Sequence, residues 1–293
     1  MINILVTSAG GPAAVGFIKS IRKTNYEVNI VAIDCNKLSS GLYLADDHYI
    51  VEPINRTDLS YNWKWFKKII KDQSIDLIIP SGEAELIFLS TFKLELKKIS
   101  VEIFISDINT LQMCRDKFLF WQCLKDKFPL PDLIEAVFEK PNRAKGGRGA
   151  KLILPGEGKK LWEYLPGQEY TVDVFCDKFS NSLGTIVRER LGIKEGISVQ
   201  GRIIRNRKME KLSEDLCIEL GIKGPCCIQF KRDKYDNVKL LECNPRLGGG
   251  TYFSTLGSVN PAQIYLDLYE GKKVKKLYPE EKTITRYYEE IVI

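Results

Sequence analysis

The residues best placed for chemistry lie late in the chain, in two apolar runs at 226–230 and 238–246 separated by the polar stretch 231–237. This pattern predicts a β-hairpin with a tight loop. With residues 234–237 as that loop, Gln229 falls directly opposite Glu242. Directly opposed side chains on one face stand about 4.5–5.5 Å apart at Cβ. Asn244, two residues beyond Glu242, points to the same face of its strand. The hairpin thus gathers one carboxylate and two amide oxygens, with Arg246 following just behind Pro245. Hard oxygen donors suit Mg²⁺, which keeps waters and shares its remaining positions with phosphate oxygens. An edge hairpin turning polar residues to solvent would carry the same trio, so the rest of the chain has to decide.

Other stretches supply positive charge and glycine. Residues 138–150 read as a strand that delivers Lys140, then a loop in which Gly146, Gly147 and Gly149 alternate with Lys145 and Arg148. Glycine lets backbone N–H groups approach oxygen closely, and a turn of such donors cradles phosphate. A flexible hairpin loop would read the same way, and the phosphate loop G-x-x-x-x-G-K-[ST] does not occur. Lys117 sits on a predicted helix over 107–128, capped by Asp107, with Phe118, Trp121 and Leu124 at core spacing. Residues 161–174 read as a strand, a Pro166-Gly167 turn and a second strand. The strand edge there offers N–H and C=O groups to the polar edge of an adenine, and a carboxylate after the turn could bind ribose hydroxyls. Arg188, Arg190, Lys194 and Arg202 make a basic strand region, read either as a lining for an anionic carboxylate or as a surface strand.

These groups need a scaffold, and the first hundred residues have the pattern of one. Apolar runs at 2–7, 28–33, 48–51, 75–79 and 101–105 alternate with helical patterns at 13–23, 61–72 and 83–98. Alternation of this kind predicts an open parallel sheet with helices on both faces. Gly10, Gly11 and Gly16 do not form G-x-G-x-x-G, so the dinucleotide fingerprint is absent. Gly10-Gly11 reads as a tight turn or as a helix start facing an anion. Glu83, after a strand's carboxyl end, is a candidate substrate contact, although an acidic residue opening a helix has its own reason to be there. Further helices are predicted at 210–221 and 261–270.

Composition narrows the classes. The chain has 293 residues, 44% hydrophobic and 28% charged, in the ordinary globular range. A net charge of +6, from 44 basic and 38 acidic residues, is too mild to argue for nucleic acid and suits a small anionic ligand equally well. No stretch approaches the ~20 apolar residues of a membrane span, and the start lacks a signal-peptide pattern. Eight cysteines without a C-x-x-C pair, and His48 as the sole histidine, read as reduced thiols in a cytoplasmic protein.

Four pieces now stand in one order. They are Arg115-Asp116-Lys117 on a helix, Lys140-Pro141 with its glycine loop, Glu163-Tyr164-Leu165-Pro166-Gly167-Gln168-Glu169-Tyr170-Thr171-Val172-Asp173, and Gln229-Phe230 followed by Glu242-Cys243-Asn244-Pro245-Arg246. That order resembles the ATP-grasp superfamily, and its wording is most similar to the branch related to the carbamoyl-phosphate synthetase large subunit. The resemblance covers about residues 107–268. It implies an α/β fold: an open parallel pre-ATP-grasp domain over 1–106, then a two-part ATP-grasp fold over 107–293. Short gaps between the motifs imply a shortened lid subdomain at about 134–166.

The resemblance also implies roles. Lys117 and Lys140 would hold ATP phosphates under the loop of Gly146, Gly147 and Gly149. Glu163, Tyr164 and Leu165 would form the adenine hinge, and Glu169 would meet the ribose. Gln229, Glu242 and Asn244 would hold Mg²⁺ (Mn²⁺ as the alternative), and Arg246, with Lys140, would be catalytic. Gln229 stands where many relatives have a carboxylate and the carbamoyl-phosphate synthetase branch has Gln. The implied activity is a carboxylate–amine ligase that works through an acyl phosphate on small-molecule substrates. Phosphorylation of a small anion and a non-catalytic ATP-binding regulator are the alternatives. A homodimer is compatible with this reading; nucleic acid and membrane partners are not expected.

Overall fold

The computed structural model describes residues 1–54, 57–139 and 151–293. Among these, the amino-terminal part is a parallel sheet of β1 (Ile2–Val6), β2 (Val28–Asp34), β3 (Asp47–Ile50), β4 (Leu77–Ile79) and β5 (Glu102–Ile103), in the order β3-β2-β1-β4-β5. Its inner strands β1 and β4 are apolar on both faces because both faces are covered, while the edge strand β3 is largely exposed. On one side α2 (Leu59–Asp72), α3 (Glu83–Thr91) and α4 (Lys93–Lys98) close a core around Phe66, Phe88 and Leu96. On the other lies α1 (Pro12–Ile21). Chain order reverses between β1 and β4, so the loops at their carboxyl ends open a crevice of the kind that binds ligands in such sheets.

Two helices follow where the sequence predicts one. The stretch over 107–128 breaks into α5 (Ile108–Arg115) and α6 (Lys117–Leu124). Asp116 is extended, and its side chain accepts the N–H groups of Phe118 and Leu119. A carboxylate that caps a new helix start competes with continuing the old one. The predicted helix over 83–98 likewise divides, at Phe92.

Two short antiparallel pairs come next. β6 (Leu133–Ile134) pairs with β9 (Leu161–Trp162), and β7 (Val137–Glu139) pairs with β8 (Lys151–Ile153). The second large sheet is antiparallel: β10 (Glu169–Cys176), β11 (Ser182–Lys194), β12 (Ile197–Ile204), β13 (Gly224–Arg232), β14 (Val238–Asn244) and β15 (Thr283–Thr285), in the order β14-β13-β10-β11-β12-β15. Helix α7 (Arg207–Leu220), closed by left-handed Gly221, covers one face over Val172, Ile228 and Leu240. The other face meets the amino-terminal sheet, α8 (Thr251–Leu256) and α9 (Pro261–Tyr269), through a core that Val6 and Phe17 share with Phe175, Ile186 and Tyr265. Among the described residues no helix is long and apolar enough to cross a membrane, and all eight cysteines are free.

Candidate active site

The hairpin of β13 and β14 places Gln229 opposite Glu242 and Cys227 opposite Asn244. The loop is one residue tighter than the sequence suggests, since the N–H of Asp233 donates to the carbonyl of Asn237. An unbroken ladder from that loop would set Leu241 against Gln229 and turn Glu242 to the opposite face. A bulge intervenes: Phe230 pairs with Leu240 and Gln229 with Glu242, leaving Leu241 as the extra residue. Bulges of this kind gather at sheet edges beside active sites and re-aim a side chain.

Rows of facing residues run across the sheet from this edge. Glu242, Gln229, Thr171 and Arg188 form one row, and Asn244, Cys227 and Asp173 the next. Glu242 is partnered by the Lys117 ammonium at 3.4 Å and by the Asn244 amide N–H at 2.9 Å. Arg246 is half-buried and donates to its neighbour Leu247's carbonyl at 3.0 Å, with Asn244 Oδ1 at 3.5 Å. Its guanidinium has no acid partner among the described ion pairs. The donor set fits a hard cation: one carboxylate, two amide oxygens, and a lysine already drawn to the carboxylate. Among the described residues no group of three or more His, Cys, Asp or Glu could hold a metal. Mg²⁺ here would therefore lean on phosphate oxygens, as Mg²⁺ commonly does.

Three clefts converge on Glu242 among the described residues. One, of about 450 Å³, runs between Lys117, Trp121 and the segment Trp162–Leu165 and is floored by Leu241 and Lys231. It therefore brings the predicted hinge residues Glu163, Tyr164 and Leu165 to the same cavity as Lys117, Gln229 and Glu242. Glu163 is fixed twice to Asp132, its N–H donating to the Asp132 carbonyl and its carboxylate accepting the Asp132 N–H, and Lys239 lies 3.3 Å away. Leu165 is buried and Tyr164 is exposed. A smaller cleft of about 240 Å³ lies between Lys117, Arg115, Glu83 and the Asn244–Arg246 turn.

The third, of about 390 Å³, separates the two large sheets. Ser8, Gly11, Ser81 and Glu83, at the carboxyl ends of β1 and β4, form one wall. Gln229, Asn244, Arg246 and the loop Gly248–Gly250 form the other, with Arg188 and Arg190 behind. Gly10 belongs to a tight turn: its N–H donates to Asp34 at 2.8 Å, and a Cβ there would lie 2.3 Å from Ser39 Oγ. Glu83 faces the cleft but is paired with Arg115 at 2.8 Å.

The predicted basic lining divides by strand alternation. Arg188 and Arg190 face the cleft. Arg190 is fully engaged, donating to Ser198, the Gly196 carbonyl and Glu169. Glu169, expected at the ribose, is thus an ion-pair partner of Arg190. Arg202 points away and pairs with Glu189 at 2.6 Å, and Lys194 is exposed at the hairpin end beside Tyr288. Both therefore leave the lining, because side chains on a strand alternate and a bulge after Arg190 shifts the register of the residues beyond it. Lys140, Gly146, Gly147 and Gly149 lie outside the described residues.

Sequence reasoning missed several groups. Leu241 carried no signal without the bulge. Asp173 sat in plain view, two alternations from Glu169, and pairs with Arg188 at 3.3 Å. Cys227 faces the cleft rather than a core, and burial, then the charge of Asp173, pushes its thiol up to about 12, so it stays protonated. Arg286 arrives from a carboxyl-terminal segment with no motif and donates to the Gly249 carbonyl.

Comparison with known proteins bears on the fold that carries these features. Residues 160–291 match a family model described as ATP-grasp in the biosynthetic pathway with Ter operon, and residues 4–104 match the PylC-like, N-terminal domain. No curated protein matches the chain. Biotin carboxylase from Campylobacter jejuni, solved as a beta-gamma-ATP complex, superposes with a TM-score of 0.65 at 14% identity, covering 93% of this chain and 72% of that one. N5-carboxyaminoimidazole synthetase from Staphylococcus aureus, complexed with ADP, gives 0.66 at 14% identity, over 96% and 79%. The biotin carboxylase domain dimer of Hydrogenobacter thermophilus 2-oxoglutarate carboxylase, with MgADP, ADP and bicarbonate, gives 0.62 at 15% identity, over 96% and 72%. At these identities the likeness is one of fold, and it does not single out the carbamoyl-phosphate synthetase branch.

Proposed function

From an ATP-grasp domain joined to a PylC-like amino-terminal domain, we propose an ATP- and Mg²⁺-dependent ligase that activates a small-molecule carboxylate for attack by an amine. The observation that carries this reading is the meeting of the hinge-lined cleft and the inter-sheet cleft at Glu242, between Lys117 and Arg246. A nucleotide in the first and a carboxylate in the second would bring their reacting ends together there. The solved relatives hold ATP or ADP in their complexes, one with magnesium.

Phosphoryl transfer asks a protein for positioning and charge neutralisation more than for covalent help. Gln229, Glu242 and Asn244 would hold Mg²⁺, which supplies charge neutralisation at the phosphates when bound. Lys117 steadies the same phosphates from the start of α6. Arg246 meets the transferring phosphoryl group with a planar, two-pronged donor. A substrate carboxylate oxygen bonds to the γ-phosphorus and ADP leaves. The amine then adds to the acyl carbon, phosphate leaves, and the amine's proton passes to solvent. The chain needs no nucleophile of its own, and His48 stands on β3, away from all three clefts.

ADP release measured with a panel of carboxylates, with and without amines, tests the reading. Release requiring both substrates supports the ligase. Release with bicarbonate alone would indicate phosphorylation of a small anion, and no release with any pair would leave a nucleotide-binding regulator. A dimer, as in the Hydrogenobacter thermophilus domain, is part of the proposal and is checked by light scattering.

A further inference from the structure

Behind the inner wall of the inter-sheet cleft, formed there by Arg188 and the Gly248–Gly250 loop, two arginines stand beside one carboxylate. Arg188 is 1% exposed, and its Nε–H has no partner among the described residues. Its one acid is Asp173, at 3.3 Å, which also accepts from Ser254 at 3.0 Å. A second arginine, Arg286, is brought in by β15 along the sheet edge and bonded to Gly249. Both guanidinium groups stack on Phe253, at 5.3 and 5.0 Å from its ring centre. Arg190 is neutralised by Glu169 and does not balance them. Half-buried Arg286 feels both Arg188 and Asp173, and Asp173, whose Oδ1 accepts no bond among the described residues, is ion-paired to Arg188 alone; an incompletely paired charge at such a place is costly.

The local backbone is shaped around this group. A Cβ on Gly250 would lie 2.1 Å from an Arg188 nitrogen, and one on Gly248 would lie 2.7 Å from the Cys227 sulfur. The Gly248–Gly250 loop can therefore lie directly on the buried Arg188–Asp173 pair, with Arg188 still at the cleft wall. Arg246 lines the same cleft at its metal end.

We propose that Arg188 and Arg286 form a second anion subsite, so that the substrate carries two anionic groups. One is the carboxylate activated at Arg246, and the other, a carboxylate or a phosphate, is held at the inner end. The identity of the occupant as substrate rests on the ligase reading; the anion subsite does not.

The test measures binding by calorimetry to the full chain, using acetate as monoacid, succinate and glutarate as diacids, and phosphoglycolate as phosphorylated acid. The wild type should bind at least one two-anion ligand ~10-fold or more tighter than acetate, and the tighter class shows whether the inner group is carboxylate or phosphate. Arg286→Gln should lose that preference, Arg286→Lys should keep most of it, and affinity for a non-hydrolysable ATP analogue should be unchanged in both. Equal binding of acetate and every two-anion ligand by the wild type, or an undiminished preference in Arg286→Gln, overturns the subsite. If the preference depends on Arg286 while no acid supports ADP release, the subsite stands and the ligase reading falls.

Discussion

Under the proposed function, Glu242 and Arg246 separate two jobs that a phosphate site must do. Glu242 is the charged member of the oxygen trio, and its neighbours Lys117 and Asn244 can both bond an amide in its place. Glu242→Gln should therefore keep the fold while losing the charge that Mg²⁺ needs, and ADP release should fall to background. Circular dichroism and turnover at ordinary Mg²⁺ check this; near-normal turnover would remove Glu242 from the metal site. Arg246 makes its present bonds to Leu247 and Asn244, both on its own turn. A donor with no acid partner among the described residues is available to charge that develops in transfer. Arg246→Ala should then lower kcat by on the order of 10²–10³, with little change in the affinity for an ATP analogue. Parallel loss of binding and turnover would make Arg246 a nucleotide anchor only.

At the scale of elements, some of this site was legible and some was not, for identifiable reasons. The pairing of Gln229 with Glu242 follows from a four-residue loop read off the sequence, yet the molecule reaches it by a tighter loop and a bulge at Leu241. Alternation fixes faces, but only pairing fixes register, and bulges have no strong local signature. The basic strand failed in the same way: Arg188 and Arg190 obey alternation, while Lys194 and Arg202 lie beyond a bulge or on the other face. The break at Asp116 was hidden because the periodicity of 108–124 runs through it. That break starts α6 at Lys117 and so aims the lysine at Glu242. Asp116→Ala should cost about 1 kcal/mol of stability as a lost cap, and should also weaken an ATP analogue several-fold by loosening Lys117. Urea titration and calorimetry read the two effects separately. A stability loss without a change in nucleotide affinity would mean the break does not position the lysine.

At the scale of the molecule, the parallel sheet ends at Ile103 and the antiparallel sheet begins at Glu169, and we propose that the expected division into residues 1–106 and 107–293 is not a thermodynamic boundary. Helix α1 packs on α8 and α9, with Ser20 bonded to Thr255 at 2.7 Å and Asn260 donating to the Ser20 carbonyl at 3.0 Å. Tyr265 lies against Phe104 and Phe175 at 4.9 and 6.4 Å between ring centres, joining the two sheets. At the crossing, Ser106 and Lys223 exchange bonds, and Asp107 pairs with Lys93 and Lys223. The Lys223 bond, partly opposed by burial and helped by Lys93, holds the Asp107 carboxyl below its ordinary range. Its contribution is thus complete above the unfolded carboxyl's pKa and is lost as pH falls through the lower folded value. With more than half of that side chain in water, the contribution is small. Gly224 matters more. Its φ of +81° is one that side chains rarely adopt, and a Cβ there would lie 2.1 Å from the Phe104 carbonyl oxygen. Gly224→Ala combines strain with overpacking and should cost about 1–3 kcal/mol. Because the core is shared, that loss should appear in both halves at once. Tryptophan supplies the probes: Trp63 and Trp65 report on the amino-terminal helices, and Trp121 and Trp162 on the cleft beside Lys117. With either pair replaced by Phe, wild type should show the same single denaturant midpoint from the remaining pair, and Gly224→Ala should lower both midpoints together. Two separated midpoints, or a shift confined to the Trp121 and Trp162 signal, would mean that the halves unfold independently and that the inter-sheet cleft is a contact between two stable bodies.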